Sequence, residues 1–148
     1  MTGSWGAHLP DGVAVEQIDL LPGGNLARAW LARWSADPDH PTVYDDRHGW
    51  LSAGGLEDQS RHIAGRLAGA GLVPGDRVVV SAQASVELVV AHVACLRSGL
   101  VVVPTNTAYR ERELAHVVAD AEPAAAIVDD AERGRWVATA VGERRCAV

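Results

Sequence analysis

The chain contains no lysine; all 13 of its basic residues are arginine. Schiff-base chemistry on a lysine amine is therefore excluded, and so is a phosphate loop of the lysine-bearing type. Cysteine is scarce as well, with only Cys95 and Cys146 present. Cys95 falls in an apolar helical pattern, which favours a buried thiol over a disulfide. Positive charge is outweighed, since 19 acidic residues leave a formal net charge of −6. Nucleic acids and anionic membranes require the opposite sign, so neither is expected as a partner. No apolar run reaches spanning length, so no transmembrane segment is expected. Met1 to His8 lacks the basic-then-apolar order of a secretory signal. The expected location is the cytoplasm.

What is present suffices for one domain. The 148 residues are 48% hydrophobic and 22% charged, within the range of a soluble globular chain. Residues 1–24 are rich in Gly, Pro and Asp without a period and read as an irregular arm. The domain is expected over 25–148. Asn25 can cap a helix running to about Ser35, with Leu26, Trp30, Leu31 and Trp34 on one face. A β-hairpin follows, with Thr42–Asp45 and Trp50–Ser52 joined through Asp46-Arg47-His48-Gly49. Leu56–Ala70 is an amphipathic helix that turns Leu56, Ser60, Ile63, Ala64, Leu67 and Ala68 inward. On its outer side Glu57 and Arg61 form an i,i+4 pair. Gly71 is placed to cap this helix, and Val73-Pro74-Gly75-Asp76 fits a type II turn.

Three apolar runs then alternate with helical patterns. Arg77–Ser81, Leu100–Val103 and Ala124–Asp129 read as strands buried on both faces. Ser85–Ser98, Glu111–Ala121 and Ala131–Ala140 read as the helices between and after them, and Cys146-Ala147-Val148 reads as a further strand beginning. The expected fold class is α/β: a mostly parallel sheet with flanking helices and an early hairpin.

Few residues invite a chemical role. Gly65, Gly69, Gly71 and Gly75 lie in and after a helix, whereas a phosphate cradle needs glycines leading into a helix N-terminus. They read as helix end and turn. His92 and Cys95 are three apart on one helix, but no second ligand pair accompanies them. Asp45-Asp46 and Asp129-Asp130 are carboxylate pairs at strand ends, where open α/β sheets bind ligands and where Asp also serves turns. Glu111-Arg112-Glu113 and Arg144-Arg145 read as solvated surface charge. Trp30, Trp34 and Trp50 read as packing anchors.

Three stretches together carry a family resemblance. Trp50-Leu51-Ser52 with the helix from Leu56 to Leu67 is the first, and Gly71-Leu72-Val73-Pro74-Gly75-Asp76-Arg77-Val78 the second. The third comprises Ala94–Gly99, then Val103-Pro104-Thr105-Asn106-Thr107-Ala108-Tyr109 and Glu113-Leu114. In order and spacing they resemble the adenylate-forming (AMP-binding) superfamily, with wording most similar to acyl-CoA synthetases of the fatty-acid–CoA ligase type. The chain departs from that pattern at Ala53-Gly54-Gly55, at Gln83 and at Arg110, which leaves the Glu111–Ala121 helix without an obvious cap.

The resemblance implies a parent of several hundred residues that joins a carboxylic acid to ATP as an acyl-adenylate and then to CoA as a thioester. It implies ATP, Mg²⁺ and CoA as the parent's cofactors. The parent's phosphate loop ending in Pro-Lys-Gly, its later Thr-Glu and Thr-Gly-Asp segments and its C-terminal lysine have no counterpart here. The chain is therefore expected to be a truncated N-terminal sub-domain, inactive alone, with no cofactor of its own. No catalytic, cofactor-binding or metal-binding residue is assigned in it. Its expected partners are the missing C-terminal remainder or a second copy of itself. Two rival readings follow. One is a non-catalytic assembly module that complements a separately encoded remainder. The other is a small independent enzyme using Asp129, Asp130 and a histidine.

Overall fold

Residues 77–81 form the strand on which the sheet is built. In the computed structural model, which describes Asp11 and residues 26–142, this strand carries Val78, Val79 and Val80 almost wholly out of solvent. Its β-branched run suits a buried parallel strand, and each valine so buried contributes roughly 1.5–3 kcal/mol.

The elements run α1 (Arg28–Ala36), β1 (Pro41–Asp45), β2 (Gly49–Ser52), α2 (Ala53–Gly69), β3 (Arg77–Ser81), α3 (Val86–Arg97), β4 (Val101–Pro104), α4 (Glu111–Ala121), β5 (Ala125–Val128) and α5 (Ala131–Val141). β1 and β2 form an antiparallel hairpin. The other three form a parallel sheet in the order β4-β3-β5. The mixed α/β architecture thus has the expected hairpin and parallel sheet. The arm over 1–24 (Asp11 apart), the Asn25 cap and the Cys146–Val148 strand lie outside the described residues.

Side chains alternate along β3 and divide the core. Val78 and Val80 pack with Cys95 of α3, Leu67 of α2, Leu100 and Ala125. Val79 points the other way, onto Val118 of α4 and Val137 and Val141 of α5. A third cluster joins Leu56 of α2 to Val86, Val90 and Val93 of α3, with Trp34, Val43 and Leu51 against it. Through that cluster α1 and the hairpin are fastened to the sheet's helices.

Several expectations are corrected. β4 and β5 are edge strands among the described residues, so neither is buried as Val78–Ser81 of β3 are. Val101 is 48% exposed. Pro104 belongs to β4, at its last position opposite Val80, where an edge strand tolerates a residue without an N–H. α2 starts three residues earlier than its apolar period suggests. Ser52 caps it by accepting from the Gly55 N–H at 3.1 Å. Gly54 is needed because the chain before the hairpin passes close by: its N–H donates to Pro38 O at 2.8 Å, and a Cβ there would lie 3.1 Å from Pro38 Cβ. The departure at Ala53-Gly54-Gly55 thus has a steric reason.

The Glu57–Arg61 pair does not form as expected. Arg61 pairs with Asp58, and Glu57 turns to Arg97 of α3. α4 does have a cap, formed from inside the helix: the Arg110 N–H donates to Glu113 Oε2 at 3.0 Å. The turn before β3 matches its expected type, with Gly75 at φ +93° and the Asp76 N–H donating to Val73 O at 3.0 Å.

Candidate functional site

The carboxyl ends of the three parallel strands meet in one polar cluster. Asp129, just after β5, accepts from the Gln83 backbone N–H beyond β3 at 2.7 Å. Its other oxygen pairs with Arg133 on the first turn of α5. Arg133 also donates to Thr107 O at 3.0 Å, and Gln83 Nε2 donates to Thr107 Oγ1 at 3.2 Å. Thr105 ties the loop after β4 to β3, its N–H donating to Val80 O at 2.8 Å. Asp130 caps α5 by accepting from the Arg133 N–H at 2.9 Å.

Within this constellation Asp129 and Arg133 mainly engage each other and their neighbouring loops. The Gln83 N–H holds the Asp129 carboxyl below its ordinary range, against the opposing effect of partial burial, and Arg133 adds to the lowering. A carboxylate so engaged has little capacity left as a general base. Within the cluster region two buried polar atoms lack a protein partner, Ser81 Oγ and Arg133 Nε. The sequence suggested a histidine near Asp129 and Asp130 for an independent enzyme; the described partners of Asp129 are Gln83 and Arg133.

The other candidates separate. Asp45 Oδ1 accepts from the backbone N–H groups of Arg47 at 2.6 Å and His48 at 3.1 Å, which lowers its pKa. It therefore shapes the hairpin turn, and Asp46 lies in that turn. Cys95 is fully buried, and desolvation pushes its thiol up to about 11. His92 is exposed, so the two do not form a pair. Gly65 and Gly69 are exposed within α2, and Gly71 and Gly75 serve the turns after it. Glu111, Arg112 and Glu113 are exposed; Arg144 and Arg145 lie outside the described residues.

Of the tryptophans, Trp34 packs on the third core cluster. Trp30 leans on Trp34 at 6.4 Å between ring centroids and stays 38% exposed. Trp50 is 63% exposed and packs against Tyr44 across the hairpin, outside the core. Among the described residues no group of three His, Cys, Asp or Glu is placed to hold a metal ion.

Two arginine networks escaped the sequence reading. Arg133 follows Asp129 by four residues, a spacing that hinted at the pair. Arg97 is the single charged residue in the second half of an apolar helix, which was the available signal for its role.

These features define a parallel α/β module whose strand ends are knit together by arginine and amide contacts. The chain belongs to the AMP-binding enzyme family, whose profile matches residues 31–146. It is 35% identical over 106 residues to a salicyl-AMP ligase / salicyl-S-ArCP synthetase of Mycobacterium tuberculosis, covering 69% of this chain and 18% of that protein. It is 32% identical over 127 residues to a long-chain-fatty-acid–CoA ligase of Salmonella typhimurium, covering 70% of this chain and 23% of that one. The crystal structure of ATP-bound MatB from Rhodopseudomonas palustris superposes with a TM-score of 0.68 at 29% identity, over 79% of this chain and 24% of that one. The chain thus spans about a fifth of the length of the relatives it matches. Among the described residues no helix is long and apolar enough to cross a membrane.

Proposed function

We propose that this chain is the N-terminal framework of an ATP-dependent acyl-CoA synthetase, and that alone it does not catalyse the reaction. The complete reaction would convert a carboxylic acid and ATP to an acyl-adenylate and pyrophosphate, then transfer the acyl group to the thiol of CoA in the cytoplasm. The observation that carries the second half of the proposal is the absence of lysine together with the mutual engagement of Asp129 and Arg133 at the strand ends. Stabilising a transferring phosphoryl or acyl group requires cations and donors aimed at the developing charge. Here Arg133 is spent on Asp129 and Thr107, and Asp129 on Gln83 and Arg133. These residues do not fit ATP phosphates or Mg²⁺, so no step is assigned to them. ATP, Mg²⁺ and CoA would be held by the rest of such an enzyme.

The test is ATP-dependent pyrophosphate release with a panel of carboxylic acids, measured for the chain alone and for the chain mixed with the remaining segment of a related ligase. The proposal expects no release from the chain alone. Release by the chain alone would overturn it. Activity on mixing two separate polypeptides would favour the assembly-module reading.

A further inference from the structure

The connection from β4 to β5 must pass over β3, because β3 lies between them in the sheet. α4 makes part of that passage, with Val118 resting on Val79 of β3. Residues 105–110 carry the chain from the end of β4 to the start of α4. They run over the carboxyl ends of the strands, where open α/β sheets take ligands. Thr107, in the middle of this segment, meets the chain leaving both other strands. Gln83, after β3, donates to its hydroxyl at 3.2 Å, and Arg133, after β5, donates to its carbonyl at 3.0 Å.

Polar contacts fasten this segment. None of its residues packs in the three core clusters. Asn106, Ala108, Tyr109 and Arg110 are exposed, and Thr105 and Thr107 are half-buried. Thr105 is fixed to β3, its N–H and its hydroxyl both donating to Val80 O, at 2.8 Å and 3.3 Å. The bonds beyond it are internal to the turn. The Ala108 N–H donates to Asn106 Oδ1 at 2.9 Å, and the Tyr109 N–H to Asn106 O at 3.0 Å. The Arg110 N–H belongs to the α4 cap. The turn can therefore lift as one piece while α4 keeps its own cap. Such a movement exposes little apolar surface, whereas unfolding the sheet exposes the whole core.

We propose that residues 105–109 form a strap across the strand ends that opens by itself, with β3 and α4 still folded, and that Thr107 is its latch. Gln83 and Arg133 hold the strap shut. Access to the carboxyl end of β3 is then set by the contacts of Thr107 and not by the stability of the whole domain. This proposal is independent of the catalytic reading.

Hydrogen exchange of the intact chain, resolved by residue with NMR at a series of urea concentrations below the midpoint, is the test. The Thr105 N–H reports the strap, because its acceptor is Val80 O of β3. The Val79 and Val118 N–H groups report the sheet and α4. Thr105 should exchange at least about tenfold faster than Val79, at a rate nearly independent of urea, since the opening exposes little surface. Gln83→Ala should speed Thr105 exchange by about two- to tenfold through the loss of one neutral hydrogen bond. Arg97→Ala, which loosens α3 from α2, should speed Val79 and leave Thr105 unchanged. A Thr105 rate that climbs with urea as steeply as that of Val79, or follows it in Arg97→Ala, would overturn the proposal, because the strap would then open only with the whole domain. An unchanged Thr105 rate in Gln83→Ala would overturn it too, by removing Thr107 as the latch. The urea series on the unmodified chain decides the matter even if a variant does not fold.

Discussion

Arg97, at the last turn of α3, grips Glu57 of α2 with both terminal guanidinium nitrogens, Nη1 at 3.0 Å and Nη2 at 2.9 Å. The same nitrogen that makes the longer bond also donates to Ser60 Oγ at 2.9 Å and to Glu57 O at 3.1 Å. The planar fork fits a carboxylate in a way that a lysine ammonium cannot. Both side chains are largely shielded, so this pair is worth more than the exposed Arg61–Asp58 pair. Arg97→Ala should cost about 3 kcal/mol in urea unfolding, because it leaves a shielded carboxylate without its partner. Arg97→Lys should recover less than half of that, and Arg61→Ala should fall within about 0.5 kcal/mol of the parent. Equal losses for Arg97→Ala and Arg61→Ala would refute the assignment.

The lowered carboxyls of Asp129 and Asp45 give the stability a definite pH dependence. Their folded values lie below the ordinary 3.8. Their stabilisation is therefore complete above the unfolded value and is lost as pH falls through the folded one. The urea midpoint should hold steady from pH 7 to 5 and drop on acidification below about 4. Asp129→Asn should flatten part of that drop. An unchanged acid limb in the variant would show that Asp129 is not held low by Gln83 and Arg133.

How much of this was legible in sequence depended on whether a signal was local. The three strands and their helices were, because β-branched runs and a 3.6-residue period are properties of neighbouring residues. α4 was found at its own boundaries, Glu111–Ala121, and β3 at Arg77–Ser81. What could not be read was partner choice across elements. Glu57 has Arg61 four residues away, yet it pairs with Arg97, forty residues on, because α2 and α3 lie side by side. The early start of α2 was hidden for the same reason: two glycines signal a break unless Pro38 is known to lie against one of them. At the site, the Asp129-Asp130 pair was visible, but its occupation by Gln83 and Arg133 depended on how three loops converge.

Two glycines of α2 should respond to alanine with opposite sign. Gly65 is exposed in the middle of the helix, and a Cβ there meets nothing within 4 Å. Gly65→Ala should stabilise by about 0.5–1 kcal/mol, since it lowers the entropy lost on folding. At Gly54 the added Cβ would come within 3.1 Å of Pro38 Cβ and 3.2 Å of Pro38 O. Gly54→Ala should therefore destabilise by about 1–2 kcal/mol as the segment before the hairpin is pushed away. Thermal midpoints of the two variants decide it. A gain at both positions would mean that Pro38 does not rest on Gly54 in solution.

Ser81 tests whether the strand-end cluster is complete as it stands. It is fully buried at the carboxyl end of β3, and its hydroxyl has no protein partner. Alternation places its side chain on the same face as Val79, toward α4 and α5. A buried hydroxyl without a partner costs roughly 1–3 kcal/mol on protein mutational scales, so removing the oxygen relieves a penalty. Alanine keeps the Cβ and leaves a void no larger than that one atom. Ser81→Ala should be neutral or stabilising by up to about 1 kcal/mol. Arg133→Met, in contrast, should destabilise, because Asp129 and Thr107 O lose their shared donor. Measured side by side in urea, the two variants should move in opposite directions. A loss above about 1 kcal/mol for Ser81→Ala would show that the hydroxyl is bonded in solution and that the cluster includes Ser81 as a working member.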